Sequence, residues 1–204
     1  SYPEESWQHV GAILADENPE GWAEDLAIDS GWDDNLRIIP SSRSLSNRER
    51  DYEDHAELRL ATALEGHTAE IRIIDCPNRQ GGTLTQNALA ASDKVIYAAT
   101  ANQDGIDGVE GAQESVAKFR KSREVIGAPC RLSEAGIVVG AVKETVMTKV
   151  SVKALERLRE TGLVLTPIIP NRTIVDQSRM TGEWYGKFDK GEPVFAAYQQ
   201  IFSA

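Results

Sequence analysis

The sequence predicts an α/β fold with a mostly parallel sheet that helices cover on both faces. Three short runs carry this prediction, since residues 71–74, 94–99 and 135–142 are rich in apolar residues that do not alternate with polar ones. Strands of this kind are buried on both faces, as they are in parallel sheets. Segments with helical periodicity separate the later runs, and that alternation is typical of α/β domains.

Before the first of these runs, the pattern predicts three helices and one short strand. The helices are expected at residues 4–15, 19–26 and 48–65, and the last of them is expected to lie on the surface. Apolar residues recur there every three or four positions among charged ones, which is the period of a helix with one buried face. The strand is expected at residues 36–40, where it stops at a proline that cannot donate to a sheet ladder.

From residue 84 onward, helix and strand are expected to alternate regularly. A glycine-rich stretch at residues 104–108 predicts a loop that leads into a charged helix, with Asp107 capping the amino terminus of that helix. All 204 residues (1–204) are expected to form one α/β domain, since a single core commonly reaches about this size. The elements predicted in this part are helices at 84–91, 109–123, 150–160 and 193–202, and strands at 94–99, 135–142 and 163–170.

Charge and composition exclude some classes of protein. The formal net charge is -10, which argues against a surface that is basic throughout, and residues 1–70 are much more acidic than the rest. Any contact with nucleic acid is therefore expected from a local patch in the carboxyl-terminal part. No apolar run approaches the roughly 18 residues that span a bilayer, so we expect a cytoplasmic protein with no membrane partner. Cys76 and Cys130 are expected to be reduced and structural.

The run at residues 71–74 ends in Asp75, and a turn rich in proline and glycine follows. Ligands of open α/β sheets bind at the carboxyl ends of strands, and many nucleotide hydrolases hold the Mg²⁺ shell with an Asp at such a position. The alternative is that Asp75 only begins a turn, as Asp commonly does. The Gly-x-x-x-x-Gly-Lys-[Ser/Thr] loop that binds phosphate does not occur in the sequence.

Four blocks stand in order along the chain: NLRIIPS at residues 35–41, IIDCPN at 73–78, LTQNALAASD at 84–93 and IIPN at 168–171. In this order they resemble the ParA/MinD deviant-Walker ATPases, and in particular the ParA-type plasmid and chromosome partition proteins. The second block is similar to the Walker B and switch II segment of that family, with Asn78 at the position of its second proline. The other blocks are similar to a strand, to a helix and to the closing loop of the family.

The resemblance implies a P-loop NTPase-like fold and a set of nucleotide-binding residues. Asp75 would be catalytic and would hold Mg²⁺ through water, while Pro77, Asn78 and Gly82 would form the turn near the γ-phosphate of ATP. Members of the family begin with a βαβ segment that carries the phosphate loop, and this chain starts after it. We therefore expect that the N-terminal segment is missing from this chain.

The resemblance also gives a role to the loop after the last strand. Pro170, Asn171 and Arg172 would line the adenine and face the partner of a homodimer. For these three residues, a simple surface turn is an equally acceptable interpretation.

A basic patch is expected in the carboxyl-terminal part. In partition ATPases, the surface near these elements binds DNA without sequence preference, through phosphate neutralisation. A solvated helix face is the competing interpretation, since acidic residues lie beside several of these cations. The DNA-binding candidates are Lys143, Lys149, Lys153, Arg157 and Arg179.

The function expected from the resemblance is that of a ParA-type partition ATPase involved in plasmid or chromosome segregation. The complete protein would bind ATP and Mg, dimerise, hold non-specific DNA of the nucleoid and respond to a centromere-binding ParB-type adaptor protein. The alternative is a degenerate, non-catalytic interaction module with the same scaffold. A MinD-like ATPase is disfavoured, because the final residues lack a long basic amphipathic helix.

Overall fold

A computed structural model describes residues 9–51, 53–76, 81–143 and 147–203. The chain divides into two compact units, which are described separately. Unit 1 comprises the chain up to Asp93 together with Ser115–Leu132, and unit 2 comprises Lys94–Glu114 together with the chain from Ser133 onward. That the whole chain forms one domain remains a prediction.

Unit 1 is built from short elements around a small apolar core. The core is formed by Ile13, Leu14, Ala23, Leu26, Leu60 and Ala63. The two strands are antiparallel, with Ile28 opposite Ile38. Two 3₁₀ segments, Arg43–Arg50 and Ala56–Leu58, lie between the strands and the last two helices. The elements are α1 (Val10–Ile13), α2 (Trp22–Leu26), β1 (Ile28–Asp29), β2 (Arg37–Ile38), α3 (Arg59–Ala63) and α4 (Thr83–Ala90).

The prediction of one surface helix at residues 48–65 is wrong. The segment is split, and α3 occupies only its end, with Leu60 7% exposed and Ala63 fully buried. Arg59 is also buried, since its guanidinium group donates to the Leu14 carbonyl at 2.8 Å and pairs with Glu53. A residue whose charge is satisfied internally can face the core, and a polar pattern alone does not reveal this.

The strand predicted for residues 71–74 is also absent. Residues 71–76 run without strand pairing to any described residue, and Ile71 and Ile73 are 60% and 90% exposed. A strand is defined by its ladder, so an apolar run forms one only where a neighbouring strand lies beside it. The sequence pattern was that of a buried strand, but the pairing that would bury it is not found in the described residues.

Unit 2 contains the predicted parallel sheet. Strand β3 (Lys94–Thr100) pairs in parallel with β4 (Ser133–Gly140), so that Thr100 lies opposite Gly140. Residues 163–171 continue the sheet on the other side of β4, with parallel bridges from Ile137 to Val164 and from Val142 to Pro170. The α/β class with a parallel sheet is therefore confirmed.

Four helices accompany this sheet. They are α5 (Gln103–Val125), which extends from unit 2 into the residues of unit 1, α6 (Lys149–Glu160), α7 (Thr173–Thr181) and α8 (Glu192–Phe202). Helix α8 packs on the sheet segment through Val194 and Ala197, which contact Ile169. Within the described ranges, each helix is too short or too polar to cross a bilayer.

The loop predicted at residues 104–108 is wrong, because α5 already begins at Gln103. The amino terminus is capped by Asn102, whose Oδ1 accepts a hydrogen bond from the Gly105 backbone N–H at 2.8 Å. Asp107 lies within the helix and accepts from the Gln103 side chain instead. Asn is among the best capping residues, so the cap was available in the sequence but was assigned five residues too late.

Candidate functional site

The carboxyl edge of the parallel sheet is the candidate site of unit 2. At this edge β3 ends at Thr100, β4 continues to Val142, and the third segment ends at Asn171. Helices α5 and α7 begin within three residues of the ends at Thr100 and Asn171, and α6 is the next described helix after Val142. Helix amino termini carry partial positive charge, and ligands of open α/β sheets bind at this edge. The arrangement is therefore suited to an anionic ligand.

Strain in the backbone marks the end of β4. Ala141 has a φ of +55°, in the left-handed region that residues with a side chain rarely adopt. The pairing nevertheless continues past it, because the Val142 N–H donates to the Ile169 carbonyl at 3.2 Å and the Asn171 N–H donates to the Val142 carbonyl at 2.8 Å. These bonds hold Lys143 and Asn171, both exposed, at the same edge. Such strain is concentrated at binding sites, where the surroundings fix it.

The end of β3 is joined to α5 by a tight turn. Asn102 Oδ1 accepts from the Thr100 hydroxyl at 2.8 Å as well as from Gly105. A Cβ on Gly105 would lie 2.8 Å from Thr100 N and closer still to the Thr100 carbonyl oxygen. Only glycine therefore lets the first turn of α5 approach the strand end so closely.

The adenine-loop candidates lie together at this edge. Pro170 is buried, Asn171 is exposed, and Arg172 is half-buried and donates to the Asn171 carbonyl at 3.3 Å. Arg172 immediately precedes α7. Lys143, which the sequence assigned to the DNA patch, lies beside these three residues at the end of β4 rather than on α6. The structure thus brings one more cation to the loop than the sequence predicted.

The candidates in unit 1 are Asp75 and Gly82. Asp75 is exposed at the end of the unpaired segment, and Gly82 has a φ of +88° immediately before α4. A Cβ on Gly82 would meet only the carboxylate of Glu49, the far end of a side chain that can move aside, so it is the positive φ that favours glycine there. Pro77 and Asn78 lie outside the described residues. Glu49 was not predicted, and its position within a polar 3₁₀ segment gave no indication of this contact.

The cysteine next to Asp75 is not activated. Desolvation raises the pKa of the Cys76 thiol, and the neighbouring Asp75 carboxylate raises it further. A raised pKa keeps the sulfur protonated at neutral pH, whereas a nucleophilic cysteine needs its thiolate. The Asp75 carboxylate therefore remains the candidate functional group at this position.

The donor set around Asp75 limits the kind of metal site that could form. Among the described residues, no three His, Cys, Asp or Glu side chains gather as a metal cage. Mg²⁺ is usually bound by one or two carboxylates, several waters and the phosphates of its substrate. A single exposed carboxylate fits that mode, so Asp75 is suited to an ion that arrives with a nucleotide.

The basic candidates on α6 form one row. Lys149, Lys153 and Arg157 are spaced four residues apart, so they share one face of the helix, and all three are exposed. Arg157 donates to Glu110 at 2.8 Å, in an ion pair whose members are 55% and 56% exposed. Such surface pairs contribute little and exchange readily. Arg179 is also exposed, in the last turn of α7.

The parallel strands of unit 2, with helices that follow them in the chain, define an α/β fold, and several solved structures share the fold of this chain. A plasmid partition protein of Borrelia burgdorferi bound to AMPPNP matches over 97% of this chain and 73% of its own, with a TM-score of 0.71 and 21% identity. Apo McdA of Cyanothece matches over 96% and 77%, with a TM-score of 0.71 and 20% identity.

A third similar structure is a synthase and not a partition protein. Cobyrinic acid a,c-diamide synthase of Mycobacterium smegmatis, with bound ADP and magnesium, matches over 81% of this chain at 24% identity and a TM-score of 0.62. This chain spans 64% of the synthase chain and 65% of another partition protein chain from Borrelia burgdorferi, which is just under two thirds. No protein-family model and no curated protein matches the sequence. The likenesses establish the fold.

Proposed function

We propose that this chain is the main part of a ParA-type partition ATPase that acts in plasmid or chromosome segregation. The observation that carries the proposal is the agreement between four ordered sequence blocks and a fold shared with a partition protein over 97% of the chain. Fold alone does not select a function, since the same fold occurs in a synthase. The sequence blocks favour partition.

The proposed ligand is ATP with Mg²⁺. Support comes from fold relatives that were solved with AMPPNP or with ADP and magnesium. In this proposal Asp75 orients the metal shell through water, Gly82 belongs to the turn near the γ-phosphate, and Pro170 to Arg172 contact the base. Mg²⁺, when bound, would neutralise charge on the transferring phosphoryl group.

In this proposal, a further strand with a phosphate loop lies beside the segment that ends at Asp75. The unpaired segment that ends at Asp75 supports this part of the proposal, because its exposed isoleucines Ile71 and Ile73 would be covered by a neighbouring strand. A strand beside it would also satisfy backbone donors and acceptors that otherwise face solvent.

The first experiment tests nucleotide use on the protein at its natural length. Light scattering after gel filtration should give a dimer with ATP and Mg²⁺ and a monomer without them. Asp75→Asn should abolish the Mg²⁺-dependent shift, while Asp107→Asn, which removes a carboxylate on the surface of α5, should leave it unchanged. Dimerisation that does not depend on nucleotide in any variant would contradict the proposed ATPase function and favour the non-catalytic module.

The proposed partners are a second copy of the protein, non-specific DNA and a ParB-type adaptor, which would place the protein on the nucleoid. Lys149→Ala/Lys153→Ala should weaken DNA retention for all sequences and lower the slope of log affinity against log salt by about 2, since two phosphate contacts are lost. Lys121→Ala on α5 is the control. Unchanged retention in the double variant would exclude the α6 row as the DNA surface.

A further inference from the structure

Unit 1 contains a cavity that the proposed function does not use. Its volume is about 500 Å³, and it lies between α3, the end of α4, the last turns of α5 and residues 129–132. Pockets for small molecules commonly have about 300–1,000 Å³. None of the residues proposed for nucleotide or DNA lines it.

The floor of the cavity is apolar. Leu64, Leu89, Phe119 and Leu132 line it, and Leu89 and Leu132 are only 8% and 7% exposed. Leu132 is held in place from the backbone, since its carbonyl accepts a hydrogen bond from Arg120 Nε at 3.1 Å. A floor of this kind would gain free energy by covering apolar ligand surface, at about 25 cal/mol per Å².

The rim of the cavity carries three guanidinium groups. The side chain of Arg72 donates to the Leu64 carbonyl at 3.1 Å, which fixes its position. Those of Arg123 and Arg131 line the cavity but make no hydrogen bond or ion pair within the described part of the chain. The rim also includes Glu65 and Asp93, so that cations exceed carboxylates by one in a protein whose net charge is -10.

We propose that this cavity binds a small organic anion with an apolar body, whose acid group is a carboxylate, sulfonate or phosphate. The apolar body lies on Leu89, Phe119 and Leu132, and the acid group is bound by Arg123 and Arg131. Guanidinium groups suit this role because their planar donors match the oxygens of such acids and form strong charge-assisted bonds. This inference is independent of the proposed function, since it needs no nucleotide.

The probe for the test is 8-anilinonaphthalene-1-sulfonate, an aromatic sulfonate whose fluorescence rises on binding. Titration should show one saturable site, and Arg123→Gln or Arg131→Gln should each weaken binding by about five- to tenfold, which corresponds to the loss of one charge-assisted contact. Arg131→Lys should give an intermediate affinity, because it keeps the charge but loses the fork of donors. Lys121→Gln, on α5 but outside the cavity, should bind as the unaltered protein does.

Two further measurements locate the site and keep the inference falsifiable. Cys130 lines the cavity and has an exposed thiol, so saturating probe should slow its alkylation by maleimide while Cys76 reacts as before. The uncharged analogue N-phenyl-1-naphthylamine should bind equally to the unaltered protein and to Arg131→Gln. Unchanged sulfonate affinity in the arginine variants, unprotected Cys130, or an equal loss of both probes would overturn the proposal.

Discussion

The approach of α5 to the end of β3 predicts that two glycines in one helix respond to the same substitution in opposite directions. Gly105 is buried in the first turn, where a Cβ would overlap the Thr100 backbone. Gly108 is exposed one turn later, and a Cβ there would meet no atom within 4 Å. Both belong to unit 2, so the same unfolding transition reports on both.

Two opposing effects determine how each substitution changes the free energy of unfolding. Alanine in place of glycine favours a helix by up to about 1 kcal/mol, because the unfolded chain loses freedom. At Gly108 this term acts alone, so Gly108→Ala should stabilise the protein by about 0.5–1 kcal/mol. At Gly105 the Cβ meets backbone, which cannot rotate away, and overpacking costs about 1–3 kcal/mol. Taking the upper end, Gly105→Ala should lose about 2 kcal/mol, and the two variants should differ by about 3 kcal/mol.

Urea unfolding followed by circular dichroism measures this difference. The midpoint of Gly105→Ala should fall and that of Gly108→Ala should rise, with the slope of free energy against urea unchanged in both. Gly105→Ser should resemble Gly105→Ala, since it also carries a Cβ. If Gly105→Ala is as stable as the unaltered protein, the close approach of helix and strand does not exist and the reasoning fails.

Two further predictions concern unit 1. Asn87 is 1% exposed, and its amide accepts from the Leu60 N–H at 3.0 Å and donates to the Ala56 carbonyl at 2.9 Å. Asn87→Ala should therefore lower the free energy of unfolding by about 3 kcal/mol, whereas Gln86→Ala on the exposed face should change it by less than about 0.5 kcal/mol. Equal stability of the two variants would refute this prediction. The pKa of Glu24 is lowered from 4.5 to about 2 by the Arg37 guanidinium and then by the Thr68 N–H and hydroxyl. The stabilising contribution of the Glu24 carboxylate is therefore complete above pH 4.5 and is lost as the pH falls towards 2. Unfolding of Glu24→Gln should therefore depend less on pH in that window, and parallel pH profiles for the two proteins would contradict the assignment.

The sheet of unit 2 could be predicted from sequence because its information is local. Runs of Val and Ile without alternation gave β3 and β4 within one or two residues. Residues 71–74 show the same pattern but form no strand, since pairing depends on a neighbour and not on the run itself. Helix α7 was not predicted, because its first turn contains Thr173, Ile174 and Val175, which favour strands. It forms where Ile174 and Ser178, four residues apart, are both buried.

The candidate site was predictable to a similar extent. Pro170 and Asn171 were expected at the end of a strand and lie there, because a short apolar run and a proline mark that end. The cap at Asn102 was missed because glycine was interpreted as a loop former, whereas Gly105 allows the first turn of α5 to pack closely on the end of β3. The left-handed conformation of Ala141 could not be predicted from the sequence, because glycine or asparagine usually signals such a position and alanine does not.

Asn87 belongs to one of the four sequence blocks that resemble the partition ATPases, and its amide has a structural role. It also donates to the Thr83 carbonyl at 3.0 Å, and it thereby connects α3, the 3₁₀ turn at Ala56 and the first turn of α4. A protein with this fold that does not bind ATP would lose the same hydrogen bonds on replacement of Asn87 as an active enzyme would. Residues by which such a family is recognised can therefore be retained for stability after the activity is lost. A genome survey that counts these residues would identify related folds and not ATPase activity.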